Sequence, residues 1–203
     1  MTTALLSTAY LAPTAYYRVL HRYNKVSIEQ HCNYVKQTYR NRCVIATTNG
    51  LLPLSIPIEK PETIKAQTKD IRIATHGNWQ HLHWNAIVSA YNSSPFFEYY
   101  EDDFRPFYEK QYSFLFDFNE AQRTLICKLL DITPNIDYSE EYLPEQEGDF
   151  RESIHPKKAL PSTLSEVNDR VYYQVFQQKF GFQPNLSIID LLFNMGPESV
   201  LFL

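Results

Sequence analysis

Three histidines within eight residues, His76, His81 and His83, are the first candidates for chemistry in this 203-residue chain. A metal ion held by His81 and His83 requires an extended backbone, because alternate residues share a face only on a strand. On a helix the same two side chains point about 200° apart. His83 falls on the apolar stripe between Trp79 and Ile87, so we expect either a buried imidazole held by hydrogen bonds or one that reaches a ligand pocket.

A second candidate is the basic segment KQTYRNR, residues 36–42. Two arginines separated by one residue share a side of an extended segment, so Arg40 and Arg42 are expected to converge on one phosphate or carboxylate. The alternative is a solvated strand edge whose charge opposes aggregation. The ligand-binding residues predicted in this segment are Lys36, Gln37, Arg40, Asn41 and Arg42.

Residues 96–118 contain eleven aromatic side chains, and their helical spacing favours core packing over stacking on a sugar or base. Glu98 lies among them and is a candidate general acid or base beside a histidine. The sequence contains no glycine-rich phosphate loop, nucleophile elbow or EF-hand loop. It also lacks the paired cysteine spacing of a zinc site, so Cys32, Cys43 and Cys127 are expected to be buried, reduced thiols. The sequence indicates neither a cofactor nor an oligomeric state.

The charge distribution limits the possible partners. A net charge of -4 argues against a nucleic-acid partner. Residues 1–50 hold six basic side chains and one acid, whereas residues 131–152 hold eight acids and only Arg151 as a cation. The basic end is therefore expected to attract a small anionic ligand, phosphorylated or nucleotide-linked. No apolar run approaches the roughly 20 residues of a membrane span, and the N-terminus is a poor secretory signal, so no membrane contact and a cytoplasmic location are expected.

The elements that position these residues predict an α/β fold. Residues 4–9 form the first predicted strand, a helix begins after Pro13, and Lys25–Gln30 is the second strand. Such a βαβ unit pairs its strands in parallel. We expect a single domain, residues 1–203, with a mixed, mainly parallel sheet flanked by helices. Its predicted parts are an α/β part (1–130), an acidic connection (131–165) and C-terminal helices packing on the same core (166–203).

The remaining elements are read from turn signals and periodicity. Asn49-Gly50 predicts a hairpin with positive backbone angles, and Pro53 and Pro57 place its second arm at an edge. Ile71–Ala74 is predicted as a short strand, and residues 136–142 as a possible strand within the acidic connection. Helices are predicted at Trp79–Tyr91, within Phe104–Phe116, at Glu120–Leu130 with a capping box of Asn119 and Gln122, at Val171–Lys179 before Gly181, and in a buried segment after Ser187.

Four segments stand out along the chain: STAYLAPTAYY, KQTYRNRCVIATTNGLLPLSIPI, KDIRIATHGNWQHLHWNAIVSAYNSSPFFEYYEDDF and PNLSIIDLLFNMGPES. Together, and in this order, they resemble the WbqC-like protein family of bacteria over nearly the whole chain. The N-terminal pattern of that family reads like His-Gln-Pro-x-Tyr-Leu-Pro. Here the segment from Thr8 to Pro13 keeps the tyrosine and the last proline but not the histidine and glutamine. Positions that match the family pattern are Arg42, Gly50, Pro57, Trp79, His83, Trp84 and Tyr91.

The resemblance implies an association with O-antigen gene clusters. It favours a transferase or modifying enzyme that acts on a nucleotide-activated or phosphorylated sugar in surface polysaccharide biosynthesis. Under this hypothesis Arg40 and Arg42 hold the anionic group, while Tyr10, Asn41 and Trp84 contact the ligand. His83 and Glu98 are the candidate catalytic groups. The alternative is a non-catalytic binding or scaffold protein, and a metal-dependent hydrolase is a third possibility.

Overall fold

The structure is a computed structural model, and it describes residues 3–61, 63, 65–165 and 170–203. It contains strands, α-helices and two 3-10 helices. In chain order the elements are β1 (Thr3–Ser7), α1 (Thr14–Arg22), β2 (Lys25–Glu29), β3 (Arg42–Thr47), β4 (Gly50–Ser55), a 3-10 helix (Thr68–Asp70), α2 (Trp79–Tyr91), α3 (Phe97–Glu109), α4 (Leu115–Leu129), β5 (Ile136–Tyr138), α5 (Ser162–Ser165), α6 (Gln177–Phe180), α7 (Ile188–Met195) and a second 3-10 helix (Gly196–Phe202).

The main sheet is parallel and has the strand order β1-β2-β5. Leu5 pairs with Ser27, and Ser27 pairs in turn with Asp137. Residues 4–7 of β1 are all buried, as expected of parallel strands covered on both faces. The predicted α/β fold, the parallel βαβ pair and the strand within the acidic connection are therefore confirmed.

The acidic connection also extends the sheet on the free side of β1. The Leu5 amide donates to the Gly148 carbonyl at 2.9 Å, and the Phe150 amide donates to the Leu5 carbonyl at 2.9 Å. Leu5 and Asp149 accordingly form a parallel bridge. This segment is held against the sheet rather than only crossing the surface, and it places the residues that follow it at the carboxyl end of β1.

Gly148→Ala is expected to destabilise the protein by about 2 kcal/mol or more. Gly148 has a φ of +80°, and an added Cβ would lie 2.6 Å from the carbonyl oxygen of Thr3. The measurement is the free energy of unfolding in denaturant. Gly77→Ala is the matched control, because Gly77 has a similar φ of +85° but no atom within 4 Å of the added Cβ. Equal losses in the two variants would contradict the predicted contact with β1.

The second sheet is the predicted hairpin, formed by β3 and β4 alone. The position of the turn differs by one residue from the prediction. Thr47 pairs with Gly50, so Thr48 and Asn49 form the loop, and of Asn49 and Gly50 only Gly50 has a positive φ, of 104°. The Thr47 hydroxyl donates to the Gly50 carbonyl at 2.8 Å and closes the turn.

The predicted helix over Trp79–Tyr91 is confirmed as α2. The other mid-chain helices begin earlier than predicted. α3 spans Phe97–Glu109 and contains Pro106, while α4 begins at Leu115, so Asn119 lies inside it. Asn119 is not a cap, because it is fully buried and its side-chain amide donates to the Arg40 carbonyl at 2.8 Å. The N-cap position of α4 is Phe114, so the predicted capping box was wrong.

Two further predictions were wrong. Ile71–Ala74 forms only isolated bridges, in which Ile73 pairs with Ile58 and Arg72 pairs with Phe114. The predicted helix over Val171–Lys179 is limited to α6 (Gln177–Phe180). The described residues before it have no regular secondary structure, and two of them, Tyr172 and Gln174, bond Asp190 through their side chains.

The last helix is confirmed as α7, and all of its residues except Met195 are buried. It shares one core with residues of β1, α1, α2 and α3. The first four residues of the predicted C-terminal part, 166–169, lie outside the described residues.

Candidate functional site

Two adjoining cavities lie at the carboxyl end of the parallel sheet. The smaller, which we call the inner pocket, has a volume of about 20 Å³, and the larger, the outer cleft, has a volume of about 610 Å³. Arg40 and Arg151 line both. Ligands of open α/β sheets bind at this end of the strands, and the outer cleft has the size of a small-molecule site. The inner pocket is also lined by Ser7, Thr8 and Tyr16, and the outer cleft by Cys32, Tyr142, Glu145, Asp149, Glu152 and Lys158.

Arg40 is a buried arginine fixed from several directions. Only 3% of the residue is exposed. One terminal nitrogen, Nη2, donates to the Ser7 hydroxyl at 2.9 Å and contacts the Cys32 Sγ at 3.7 Å. The same nitrogen lies 3.4 Å from a carboxylate oxygen of Glu152. The guanidinium is therefore held in the wall between the two cavities.

Arg151 is the second buried guanidinium of the site. It is held by Asp149, whose Oδ1 accepts from Nε at 3.0 Å, and by Glu29, whose Oε2 accepts from Nη1 at 3.3 Å. Glu29 ends β2 and is completely buried. The guanidinium also lies 5.6 Å from the centre of the Tyr142 ring. Breaking these buried pairs would leave an uncompensated charge, so Arg151 is both positioned and structurally required.

Two exposed side chains, Glu152 and Tyr142, line the outer cleft on its solvent side. Glu152 has 60% of its side chain exposed although it contacts Arg40. Tyr142 is 59% exposed and presents an aromatic ring to the cleft. An exposed carboxylate is held weakly by its partner, because solvent screens the pair. The contact between Glu152 and Arg40 is therefore only weakly stabilising.

The structure brings together two of the residues predicted from the sequence, Tyr10 and His83. The Tyr10 hydroxyl lies 2.9 Å from His83 Nδ1 and 2.9 Å from the Tyr108 hydroxyl. Burial lowers the pKa of His83 to about 4, and a hydrogen bond to the backbone of Ser55 opposes this effect. His83 is therefore a neutral core histidine, whereas His81 is exposed and bonds Asn85 at 2.9 Å.

Arg40 and Arg42 have different hydrogen-bond partners in the structure. Residues 36–41 form turns, with Gln37 at a φ of 60°, instead of an extended segment. Arg42 begins β3, and its Nε donates to the Ser55 hydroxyl at 3.1 Å. The two guanidinium groups therefore contact different partners, because the turn rotates one of them into the wall of the cavities.

The other predicted site residues lie away from the two cavities. Lys36 is exposed, and Gln37 accepts a hydrogen bond from Lys157 at 2.8 Å. The Asn41 side chain donates to the Ile56 carbonyl at 3.0 Å. Trp84 stacks on Tyr108 at 5.5 Å, and Glu98 is exposed in the first turn of α3. Their ligand-binding and catalytic roles stay predictions.

Sequence reasoning missed Ser7, which accepts a hydrogen bond from Arg40, and it missed Tyr142 and Arg151, which line the outer cleft with Arg40. One signal was present. Arg151 is the only cation within the acidic residues 131–152, and a lone cation among acids is a candidate for a buried ion pair. Among the described residues, no group of three or more His, Cys, Asp and Glu side chains is arranged to hold a metal ion.

Comparison with known proteins identifies the family of the chain. A sequence model of the WbqC-like protein family matches residues 8–172 and 159–201. The chain belongs to the WbqC-like protein family. This WbqC-like chain is 26% identical over 219 residues to "Uncharacterized protein Rv1507c" of Mycobacterium tuberculosis. The alignment covers 97% of the chain and 94% of that protein. No solved structure gave a significant match. Within the residues that the structure describes, none of the helices has both the length and the apolar character needed to cross a membrane.

Proposed function

We propose that this WbqC-like protein binds a nucleotide-activated or phosphorylated sugar in the outer cleft and acts on it as a transferase or modifying enzyme of surface polysaccharide biosynthesis. The observation that carries the proposal is the cleft itself. It has a volume of about 610 Å³ at the carboxyl end of the parallel sheet, with two guanidinium groups and an exposed tyrosine ring in its wall. Guanidinium groups recognise phosphate by paired hydrogen bonds.

In this proposal Arg40 holds the phosphate of the ligand. Its contact with Glu152, at 3.4 Å, is long for a charge-assisted hydrogen bond. A phosphate oxygen replaces the Glu152 carboxylate at Arg40, and Lys158 adds a positive charge in the same wall. The displaced Glu152 carboxylate then lies beside the bound ligand, where it is the candidate general acid or base.

Tyr142 supports the sugar or base of the same ligand. Its ring is exposed on one side and has the Arg151 guanidinium 5.6 Å from its centre. Aromatic rings stack on sugars and bases without demanding one sequence or isomer. Glu145 and Asp149 line the same cleft, and their carboxylates are acceptors for sugar hydroxyl groups. The mixed charge of the wall thus fits a ligand with both a phosphate and several hydroxyl groups.

Tyr142→Ala is expected to weaken binding of a nucleotide sugar about tenfold or more, because one stacking contact contributes about 1–3 kcal/mol. UDP-glucose and inorganic phosphate are suitable probes, measured by isothermal titration calorimetry. Binding of inorganic phosphate should change less than twofold, since phosphate has no ring to stack.

The matched control is Tyr99→Ala, which removes a ring that is 77% exposed on α3. The control should bind UDP-glucose like the wild type. Unchanged UDP-glucose affinity in Tyr142→Ala would count against the proposed ligand orientation.

The alternative, a non-catalytic binding or scaffold protein, is favoured by a different surface. An apolar cavity of about 110 Å³ lies between the β3–β4 turn and α6. It is lined by Leu51, 54% exposed, and Phe180, 36% exposed. The two functions differ in one measurement. Incubation of the protein with UDP-glucose and a sugar acceptor, followed by ³¹P NMR, detects turnover of the nucleotide sugar only in the enzyme.

A further inference from the structure

Two residues that line the inner pocket each carry a buried hydrogen-bond donor without an acceptor in the described parts of the chain. Tyr16 is only 3% exposed, and its hydroxyl has no hydrogen-bond partner among the described residues. The Nε of Arg40 is likewise buried and without a partner in this part of the chain. Both residues line the inner pocket. Buried polar groups in folded proteins are nearly always paired, so two orphan donors in one pocket require an explanation.

Two acceptor side chains of this region, Glu120 and Ser7, already accept hydrogen bonds. The Glu120 carboxylate accepts from the Thr8 hydroxyl at 2.8 Å, from Arg123 Nε at 2.7 Å and from the Tyr138 hydroxyl at 3.2 Å. The Ser7 oxygen accepts from Arg40 at 2.9 Å, which leaves its own proton free to be donated. The residues that line the inner pocket therefore supply donors for an oxygen atom with a lone pair.

The Tyr16 hydroxyl remains a donor over the working pH range. Burial raises the pKa of Tyr16 well above its ordinary value, and the nearby charge of Glu120 raises it further. A protonated phenol and an arginine side chain are both hydrogen-bond donors. Each is satisfied by an oxygen atom with a lone pair.

We propose that the inner pocket is an oxyanion subsite that takes one oxygen of the phosphate group of the ligand. Its volume of about 20 Å³ holds one water-sized atom, which needs about 10–15 Å³. Arg40 and Arg151 line both cavities, so an oxygen in the inner pocket belongs to a ligand whose remainder lies in the outer cleft. The identification of the group as phosphate rests on the proposed function, whereas the requirement for an acceptor oxygen does not.

In this arrangement the inner pocket binds one phosphate oxygen and the outer cleft binds a second. Tyr16, Ser7 and Arg40 Nε bind the buried oxygen of the phosphate. The Nη2 of Arg40, once Glu152 has moved, faces a second oxygen in the outer cleft. Recognition at two oxygens by one arginine is the fork geometry that distinguishes arginine from lysine. Tyr16 is therefore a binding residue that sets specificity for a tetrahedral oxyanion.

Tyr16→Phe tests the subsite, because it deletes the hydroxyl and keeps the ring in the core. Binding of inorganic phosphate and of glucose 1-phosphate, measured by calorimetry, is expected to weaken about tenfold, the loss of one hydrogen bond to a charged group. The melting temperature without ligand should stay within about 2 °C of the wild type or rise, since the hydroxyl has no partner to lose. Tyr100→Phe is the control, as its ring packs on Phe193 in α7.

The outcomes are distinguishable from those of the proposed function. Phosphate affinity that is unchanged in Tyr16→Phe overturns the subsite, even if Tyr142→Ala still weakens UDP-glucose. A tenfold loss of phosphate in Tyr16→Phe supports the subsite, even if UDP-glucose binds no tighter than phosphate and the sugar part of the proposed function is wrong. A wild-type protein that binds neither inorganic phosphate nor glucose 1-phosphate at 10 mM, roughly the weakest affinity of interest, overturns the subsite.

Discussion

Asp190→Ala is expected to lower the free energy of unfolding by about 3–5 kcal/mol, the cost of breaking a buried charged network. Asp190 lies in the first turn of α7 and is 1% exposed. It accepts hydrogen bonds from the Tyr91 hydroxyl at 3.0 Å, the Tyr172 hydroxyl at 2.7 Å and the Gln174 side-chain amide at 2.9 Å. Alanine would leave all three donors buried and unpaired.

The effect is large because the carboxylate joins elements that are distant in sequence. Tyr91 ends α2, while Tyr172 and Gln174 belong to the irregular segment before α6. Burial raises the pKa of Asp190 to about 6, although its three hydrogen bonds oppose that effect. The charge is therefore stabilised by these donors, and it links the irregular segment before α6 to α7.

Chemical denaturation at neutral pH measures the Asp190 effect. Tyr91→Phe and Tyr172→Phe each remove one donor and leave the acceptor, so each should cost about 1–2 kcal/mol. When either tyrosine variant is combined with Asp190→Ala, the double variant should be nearly as stable as Asp190→Ala alone. The hydrogen bond between the tyrosine and Asp190 is already lost in Asp190→Ala. A loss below about 1 kcal/mol in Asp190→Ala would show that the network does not hold the segment.

The second large effect is a dependence of stability on pH that His83 imposes. The pKa of His83 is lowered from 6.5 to about 4 in the folded protein. The unfolded chain therefore binds a proton at a higher pH than the folded protein does. His83 contributes full stability above its unfolded pKa, and this contribution is lost as pH falls from about 7 to 4. The lost stability is about 3 kcal/mol, from 1.36 kcal/mol for each pKa unit.

Asp190 has the opposite sign in an overlapping window. Its pKa is raised from 3.8 to about 6 in the folded protein, so the folded state binds the proton more tightly. The contribution of Asp190 to the free energy of unfolding is fully present below its unfolded pKa, and it is lost as pH rises through about 6. The two groups partly cancel in the wild type, and the His83 effect is visible only against a variant that lacks the imidazole.

His83→Gln is that variant, because glutamine is neutral at every pH and keeps a donor and an acceptor for Tyr10 and Ser55. At pH 7 the variant is expected to have a lower free energy of unfolding than the wild type, and the size of that difference is not part of the prediction. The prediction concerns the difference between the two proteins, which should shrink by about 3 kcal/mol between pH 7 and pH 4. Parallel curves would mean that His83 is not buried in its neutral form.

The position of the candidate site was only partly predictable from the sequence. Arg40 was recognised from its type and its neighbours, and it lies in the wall of both cavities. Arg42 was chosen for the same reason, but a turn with Gln37 at positive φ sends its side chain to Ser55. Alternation along a segment predicts shared faces only if the segment is extended, and nothing local in KQTYRNR required the turn. Its backbone is held from outside, by Asn119 at the Arg40 carbonyl and by Tyr10, whose amide donates to the Tyr39 carbonyl.

Local pattern by itself determined the βαβ start, the β3–β4 hairpin, α2 and the buried last helix. In each of these the apolar period and the turn residues agree with the final burial, so the local preference and the tertiary structure favour the same conformation. Only the tertiary structure decided where α4 begins, that residues 148–150 join the sheet, and that Arg151, Tyr16 and Arg40 meet at one pocket. These features depend on contacts between residues that are distant along the chain, such as Asn119 with Arg40. A window of neighbouring residues does not contain the energy of such contacts.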